Sequence, residues 1–105
     1  MDKLTELNKL EKWLKDNKYD VERWDEEEEE LPFTDFVVAR HQVFVKNKEG
    51  GKLFDAICHP GSYGYEQGLI EIMNGSLKLT KDGDDDVEGW LTADEVVKRL
   101  EVIDN

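Results

Sequence analysis

The chain has one cysteine, Cys58, and two prolines, Pro32 and Pro60. A single thiol excludes an internal disulfide framework and fits a reducing setting, here the cytoplasm. Positive charge is scarce: 14 Lys and Arg stand against 26 Asp and Glu, a formal net charge of −12. Such a surface repels nucleic acid and anionic membranes, and favours a basic partner, a cation or plain solubility. No run approaches the roughly 20 apolar residues that a membrane span needs. The opening MDKLTELNKLEKW is charged and periodic rather than a signal peptide. What is present suits a single domain over residues 1–105, with 38% hydrophobic and 10% aromatic residues. A chain of this size buries roughly 60–65% of its unfolded surface, enough for one small core.

Periodicity predicts a first helix over Asp2–Asn17, where Leu4, Leu7, Leu10 and Leu14 share a face with Trp13 alongside. Tyr19–Trp24 alternates as a short strand. Asp25–Glu30 is six consecutive acids, which repel one another and read as a solvated loop closed by Leu31-Pro32. Asp35–Lys46 is the strongest strand. Val37, Ala39, His41, Val43 and Val45 form its core face, and Phe36, Val38, Arg40, Gln42 and Phe44 a partly apolar second face. Asn47–Lys52 holds Gly50-Gly51, a hairpin turn back into a strand over Leu53–Cys58.

Leu53–Gly75 is the least charged run of its length and the centre of the expected fold. It reads as that strand, a loop over His59–Gly64 and a central helix over Tyr65–Met73, stopped at Asn74-Gly75. Ser76–Thr80 reads as a possible edge strand and Lys81–Glu88 as a second acidic loop. A final helix opens at Thr92, whose capping box is completed by Glu95, with Val96, Val97 and Leu100 on its apolar face. The sum is an α+β domain: an antiparallel sheet of three to four strands with N-terminal, central and C-terminal helices.

Three constellations carry possible chemistry. Cys58 needs a base to act as a nucleophile. Its neighbour His59 points to the other strand face, whereas His41, on the hairpin-paired strand, is a conceivable partner for a cysteine-dependent enzyme. The loop from Pro60 and Gly61 to Gly64 precedes an expected helix N-terminus but lacks the lysine and glycine spacing of a phosphate loop. In the second acidic loop Asp84, Asp86 and Glu88 fall at positions one, three and five, Gly89 at six and Glu95 at twelve, the spacing of an EF-hand calcium loop. No helix enters that loop, and the capping box also explains Glu95. No cofactor is expected.

The two acidic stretches, Asp25, Glu26, Glu27, Glu28, Glu29 and Glu30, then Asp82, Asp84, Asp85 and Asp86, are flanked by Trp24, Phe33 and Trp90. Aromatic anchors beside dense charge suit a surface that binds a basic protein. The segments Asp55–Glu66 (DAICHPGSYGYE) and Gly89–Ala93 (GWLTA) resemble those of small acidic proteins of Gram-positive phages and prophages. The resemblance covers most of the chain from Phe36 onward and supplies no catalytic residues. It implies a non-enzymatic phage accessory protein in the bacterial host cytoplasm. The class includes inhibitors of host defence nucleases, some of which imitate nucleic acid. The expectation is therefore an acidic protein that binds a basic partner such as a CRISPR effector or restriction enzyme.

Overall fold

The structure is a computed structural model that describes residues 3–30, 37–59, 62–82 and 85–103. Leu31-Pro32, Phe33, Pro60, Gly61 and Asp84 fall outside the described residues, as do Asp2 of the expected N-terminal helix and Asp35 and Phe36 of the expected strand. The elements are α1 (Thr5–Asp16), β1 (Asp20–Glu30), β2 (Val37–Lys46), β3 (Lys52–Ile57), a 3-10 turn (Tyr65–Gln67), β4 (Ile70–Asn74), β5 (Val87–Leu91) and α2 (Ala93–Ile103). All five strands pair antiparallel, each with its sequence neighbours, in the order β1-β2-β3-β4-β5.

One face of the sheet is the core. Val43 opposes Ala56, Ala56 opposes Ile72, and Val45 opposes Phe54. These residues are fully buried in one cluster with Leu7, Leu10 and Leu14 of α1 and Val96 and Leu100 of α2. The helical stripe read from the leucines is thus the packing face, and both helices cover the same side of the sheet. A carboxylate joins them: Glu6 of α1 accepts the Ala93 N–H at the start of α2, 2.9 Å away. That N–H is one of the donors a helix N-terminus leaves unsatisfied. The Thr92 capping box forms, with Thr92 N–H to Glu95 Oε1 at 3.1 Å and Glu95 N–H to Thr92 Oγ1 at 3.2 Å.

The expected count of three to four strands and three helices is corrected to five strands and two helices. The expected central helix over Tyr65–Met73 is a single 3-10 turn followed by β4. Gly68, at φ 70°, ends the turn in the left-handed region. Beyond it Ile70 and Ile72 alternate with Glu71 and Met73, the period of two that a strand requires. Leu69, Ile70, Ile72 and Met73 also fit one side of a helix, and a run this short leaves periodicity undecided. Pairing with β3 and β5 on both flanks favours the strand, since Ile70 and Ile72 are β-branched and pack well on a pleated surface.

Asp25–Glu30 is likewise not a loop. It continues β1, with Glu29 opposite Val38 and Glu30 opposite Val37 after a register shift beyond Glu26. Backbone pairing with β2 outweighs the local repulsion, which water and salt screen along an edge strand. Ser76–Thr80 is no strand; Asn74 Oδ1 accepts the N–H groups of Leu79 and Thr80 at 2.8 and 3.2 Å and tucks Leu79 into the core. The fifth strand comes instead from Val87–Leu91, beside the second acidic stretch. The β2–β3 turn is as expected, with Gly50 alone at positive φ. Asn47 Oδ1 braces it by accepting the N–H groups of Glu49 and Gly51 at 3.0 and 2.9 Å.

Gly75 does not end a helix and has no positive φ. It is there for space: a Cβ would stand 2.2 Å from the carbonyl oxygen of Lys52 and 2.6 Å from that of Leu53. Its own N–H donates to the Leu53 carbonyl at 3.1 Å, so β3 backbone would have to move. Gly75→Ala is expected to cost about 2–3 kcal/mol by overpacking. Urea unfolding would show it as a lowered midpoint with an unchanged slope.

Candidate interaction surface

β3 pairs with β2 only from Gln42 to Lys46, and the Cys58 N–H bond to the His41 carbonyl extends that contact by one step. Past His41, β2 keeps only β1 as a partner among the described residues. Glu26–Glu30 and Val37–Arg40 therefore run on as a two-stranded ribbon, and the molecule measures 48 by 25 by 25 Å. The ribbon's edge strand is the acidic run.

The base of the ribbon is fastened to the body. Asp25 Oδ1 accepts from His41 Nδ1 at 2.8 Å and from Arg23 Nε and Nη2 at 3.1 and 3.0 Å. Arg23 Nη1 in turn donates to Asn8 Oδ1 and Glu11 Oε1 of α1, at 2.8 and 3.0 Å. Burial pushes the Asp25 carboxyl up, but the hydrogen bonds from His41 and Arg23 outweigh it and hold the group below its ordinary value. Asp25 thus joins β1 to α1 and is not free for a partner. Glu26 is exposed and, among the described residues, makes a long 3.9 Å ion pair to Arg40. Arg40 lies over the Trp24 ring at 4.3 Å and donates to Gln42 Oε1, and Gln42 Nε2 donates to the buried Asp55 at 2.7 Å.

The two acidic stretches do not form one surface. Asp82, Asp85 and Asp86 are exposed in the β4–β5 connection, at the opposite edge of the sheet from β1. Four strand spacings separate the two edges, about 19 Å. They are also at opposite ends: the Asp86 carbonyl accepts from Asn74, in the row of Phe54 and Val45 opposite Val21, whereas the ribbon extends past Asp25. Thr80 Oγ1 and Asn74 Nδ2 tie this connection down through the Asp82 and Asp85 carbonyls. Trp90 is exposed and stacks on Tyr63 at 5.1 Å.

Two residues of the calcium spacing, Glu88 and Glu95, are engaged elsewhere. Glu88 takes both Arg99 Nη atoms at 2.8 Å, and Glu95 Oε1 serves the capping box. Asp84 lies outside the described residues, and among those described no three His, Cys, Asp or Glu side chains gather to hold a metal ion. Asp25, His41 and Cys58 do fall in one row on the helix-covered face. The Cys58 thiol, however, is fully buried and donates to the Lys3 carbonyl at 3.3 Å. His59 is on the other face, where burial depresses its pKa, the nearby Glu71 carboxylate opposes that, and Arg40 adds to it.

What the sequence reading missed is the uncovered face of the sheet. Four rows cross it: Asp20–Lys46–Lys52, Glu22–Phe44–Asp55–Met73–Val87, Trp24–Gln42–Ile57–Glu71, and Glu26–Arg40. The partly apolar second face of β2 was the available signal. No protein-family model, curated protein or solved structure matches the chain. No helix among the described residues is long and apolar enough to cross a membrane.

Arg99 holds Glu88 below the ordinary value of 4.5, against burial and with help from the Lys81 N–H. Near that pH the folded protein binds fewer protons than the unfolded chain. The stabilisation is therefore complete above about 4.5 and fades as pH falls through the lowered value. Arg99→Ala is expected to cost about 1–3 kcal/mol at pH 7. The cost should shrink at a pH well below 4.5, once Glu88 is protonated in both forms, leaving the share carried by the Arg99 bond to the Leu79 carbonyl. Urea titrations of both proteins at the two pH values check this.

Proposed function

We propose that the protein is a non-enzymatic binding module that takes a basic protein partner along the acidic edge of its ribbon. One observation carries the reading: Asp25–Glu30 is strand, not loop, and β1 is an edge. A strand advances about 3.4 Å per residue, and a nucleic-acid strand carries one phosphate charge per about 3.4 Å. Asp25 is internally neutralised, so Glu26–Glu30 is the run of consecutive carboxylates left along the edge, its side chains alternating between the two faces at about 6.8 Å on each. With a net charge of −12 behind it, such an edge suits a groove built to hold nucleic acid.

The most concrete version is a phage accessory protein in the bacterial host cytoplasm that inhibits a defence nuclease, a CRISPR effector or restriction enzyme, by occupying its nucleic-acid channel. Trp24, beside Glu26 on the same face, is the aromatic anchor. Asp82, Asp85 and Asp86, at the far corner, contribute to the field that steers encounter rather than to the same contact.

Purified protein would be titrated against a panel of such nucleases over a salt series. The complex should weaken steeply with salt and be displaced by duplex DNA. Replacing Glu26–Glu30 with threonines keeps strand propensity and is expected to lower affinity by about tenfold or more. Inhibition by that variant equal to the parent's would remove the ribbon as the contact.

A further inference from the structure

We infer that the stacked pair Tyr63–Trp90 is a binding site for an arginine side chain of the basic partner. This rests on the proposed capture of a basic protein and names the group that is captured.

The pair is built with unusual backbone. Between Ile72–Glu88 and Ile70–Leu91 the β4–β5 register shifts, so Gly89 and Trp90 together oppose Glu71. Such a bulge re-aims a side chain. Trp90 sits at φ 57°, in the left-handed region that residues with a Cβ disfavour. Two glycines let the segment before the 3-10 turn lie against this bulge. A Cβ on Gly89 would collide with Tyr63 Cβ, and one on Gly64, at φ 97°, would stand 3.1 Å from the Trp90 N and Cα. The Trp90 N–H donates to the Tyr63 carbonyl at 3.3 Å, and the Tyr63 N–H donates to Glu71 Oε1 at 3.2 Å. The rings stack at 5.1 Å and 25°, yet each residue remains 57% exposed. An indole so exposed gains little from burial, and its backbone favours other residues. Packing and propensity therefore do not account for Trp90, whereas a fixed aromatic surface offered to a ligand does.

Charge selects the ligand. From Asp82 to Val97 the chain has seven acids and no Lys or Arg. Asp82, Asp85, Asp86, Asp94 and Glu95 are exposed, and Glu88 alone is taken by Arg99. A bare aromatic surface in such a field attracts cations and repels phosphates. The chain uses the same chemistry internally: Arg40 lies over the Trp24 ring at 4.3 Å and Lys3 over the Tyr65 ring at 4.7 Å. Among the described residues no Lys or Arg lies over Tyr63 or Trp90.

Arginine suits the site better than lysine. Its guanidinium is planar and weakly hydrated and lies flat on an aromatic ring, whereas an ammonium keeps its water. Arginine is also a residue that a nucleic-acid groove presents in quantity. The stack is on the β5 edge, about 19 Å across the sheet from β1. It is a contact separate from the ribbon, so the two can be removed one at a time.

Isothermal titration at about 50 mM salt would compare octa-arginine with octa-lysine, peptides of equal charge. Octa-arginine should bind about three- to tenfold more tightly. Trp90→Asn should bring that ratio to about one and leave the octa-lysine affinity within about twofold of the parent's. Asparagine accepts the left-handed backbone, so circular dichroism and the urea midpoint should be kept. Tyr63→Leu should lower the ratio by a second route. Trp24→Ala removes an indole that Arg40 already covers, and should leave the preference intact. The Glu26–Glu30 threonine variant should bind both peptides more weakly at an unchanged ratio. In 15N spectra the Trp90 indole N–H, identified by its loss in Trp90→Asn, should shift with octa-arginine far more than with octa-lysine. Equal affinities of the parent for the two peptides, or a preference that survives Trp90→Asn, would overturn the inference and leave capture of a basic partner standing. Binding of neither peptide would overturn both.

Discussion

Val43, Ala56 and Ile72 stand side by side on three adjacent strands, fully buried in one cluster with the leucines of α1 and with Val96 and Leu100 of α2. A chain of 105 residues has apolar surface for one such core, and both helices go to the same side of the sheet to complete it. The rest follows from that one-sided burial. The uncovered side retains aromatics and internally paired charges. The edges hold residues that no core accepts, the acidic runs among them.

The polar network at the start of the ribbon shows how a dense acidic strand is joined to an apolar core. Asp25 is bound by His41 and Arg23, and Arg23 by Asn8 and Glu11 of α1, so the first acid of the run serves as a bracket. Burial alone would raise the Asp25 carboxyl; its partners reverse that. At the other edge Glu88 and Arg99 do the same for β5 and α2. In both places a carboxylate that looks like free charge in the sequence is a structural tie.

Much of the fold was legible. The leucine stripe of α1, the alternation of β2, the Asn47–Lys52 turn and the Thr92–Glu95 capping box are local signals, and the structure carries each of them out. The errors came where a local signal had two solutions. Residues 69–73 satisfy a helix face or a strand, and flanking strands chose the strand. The acidic run has unfavourable local electrostatics, and a ladder with β2 overrode it. The candidate site was legible as composition but not as geometry. Asp25–Glu30 was visible as dense charge, whereas its separation from Asp82–Asp86 depends on strand order, which no spacing along the chain encodes.

The sequence by itself determined the α+β class, the acid excess, the helix that opens the chain and the helix that closes it, because these rest on composition and short-range periodicity. Only the tertiary structure decided that β4 is a strand, that the acids run along an edge, that Glu88 belongs to Arg99 and that Cys58 turns to the Lys3 carbonyl. Each of those depends on a partner distant in the chain, and the free energy that settles it comes from packing and pairing after the chain has closed on itself.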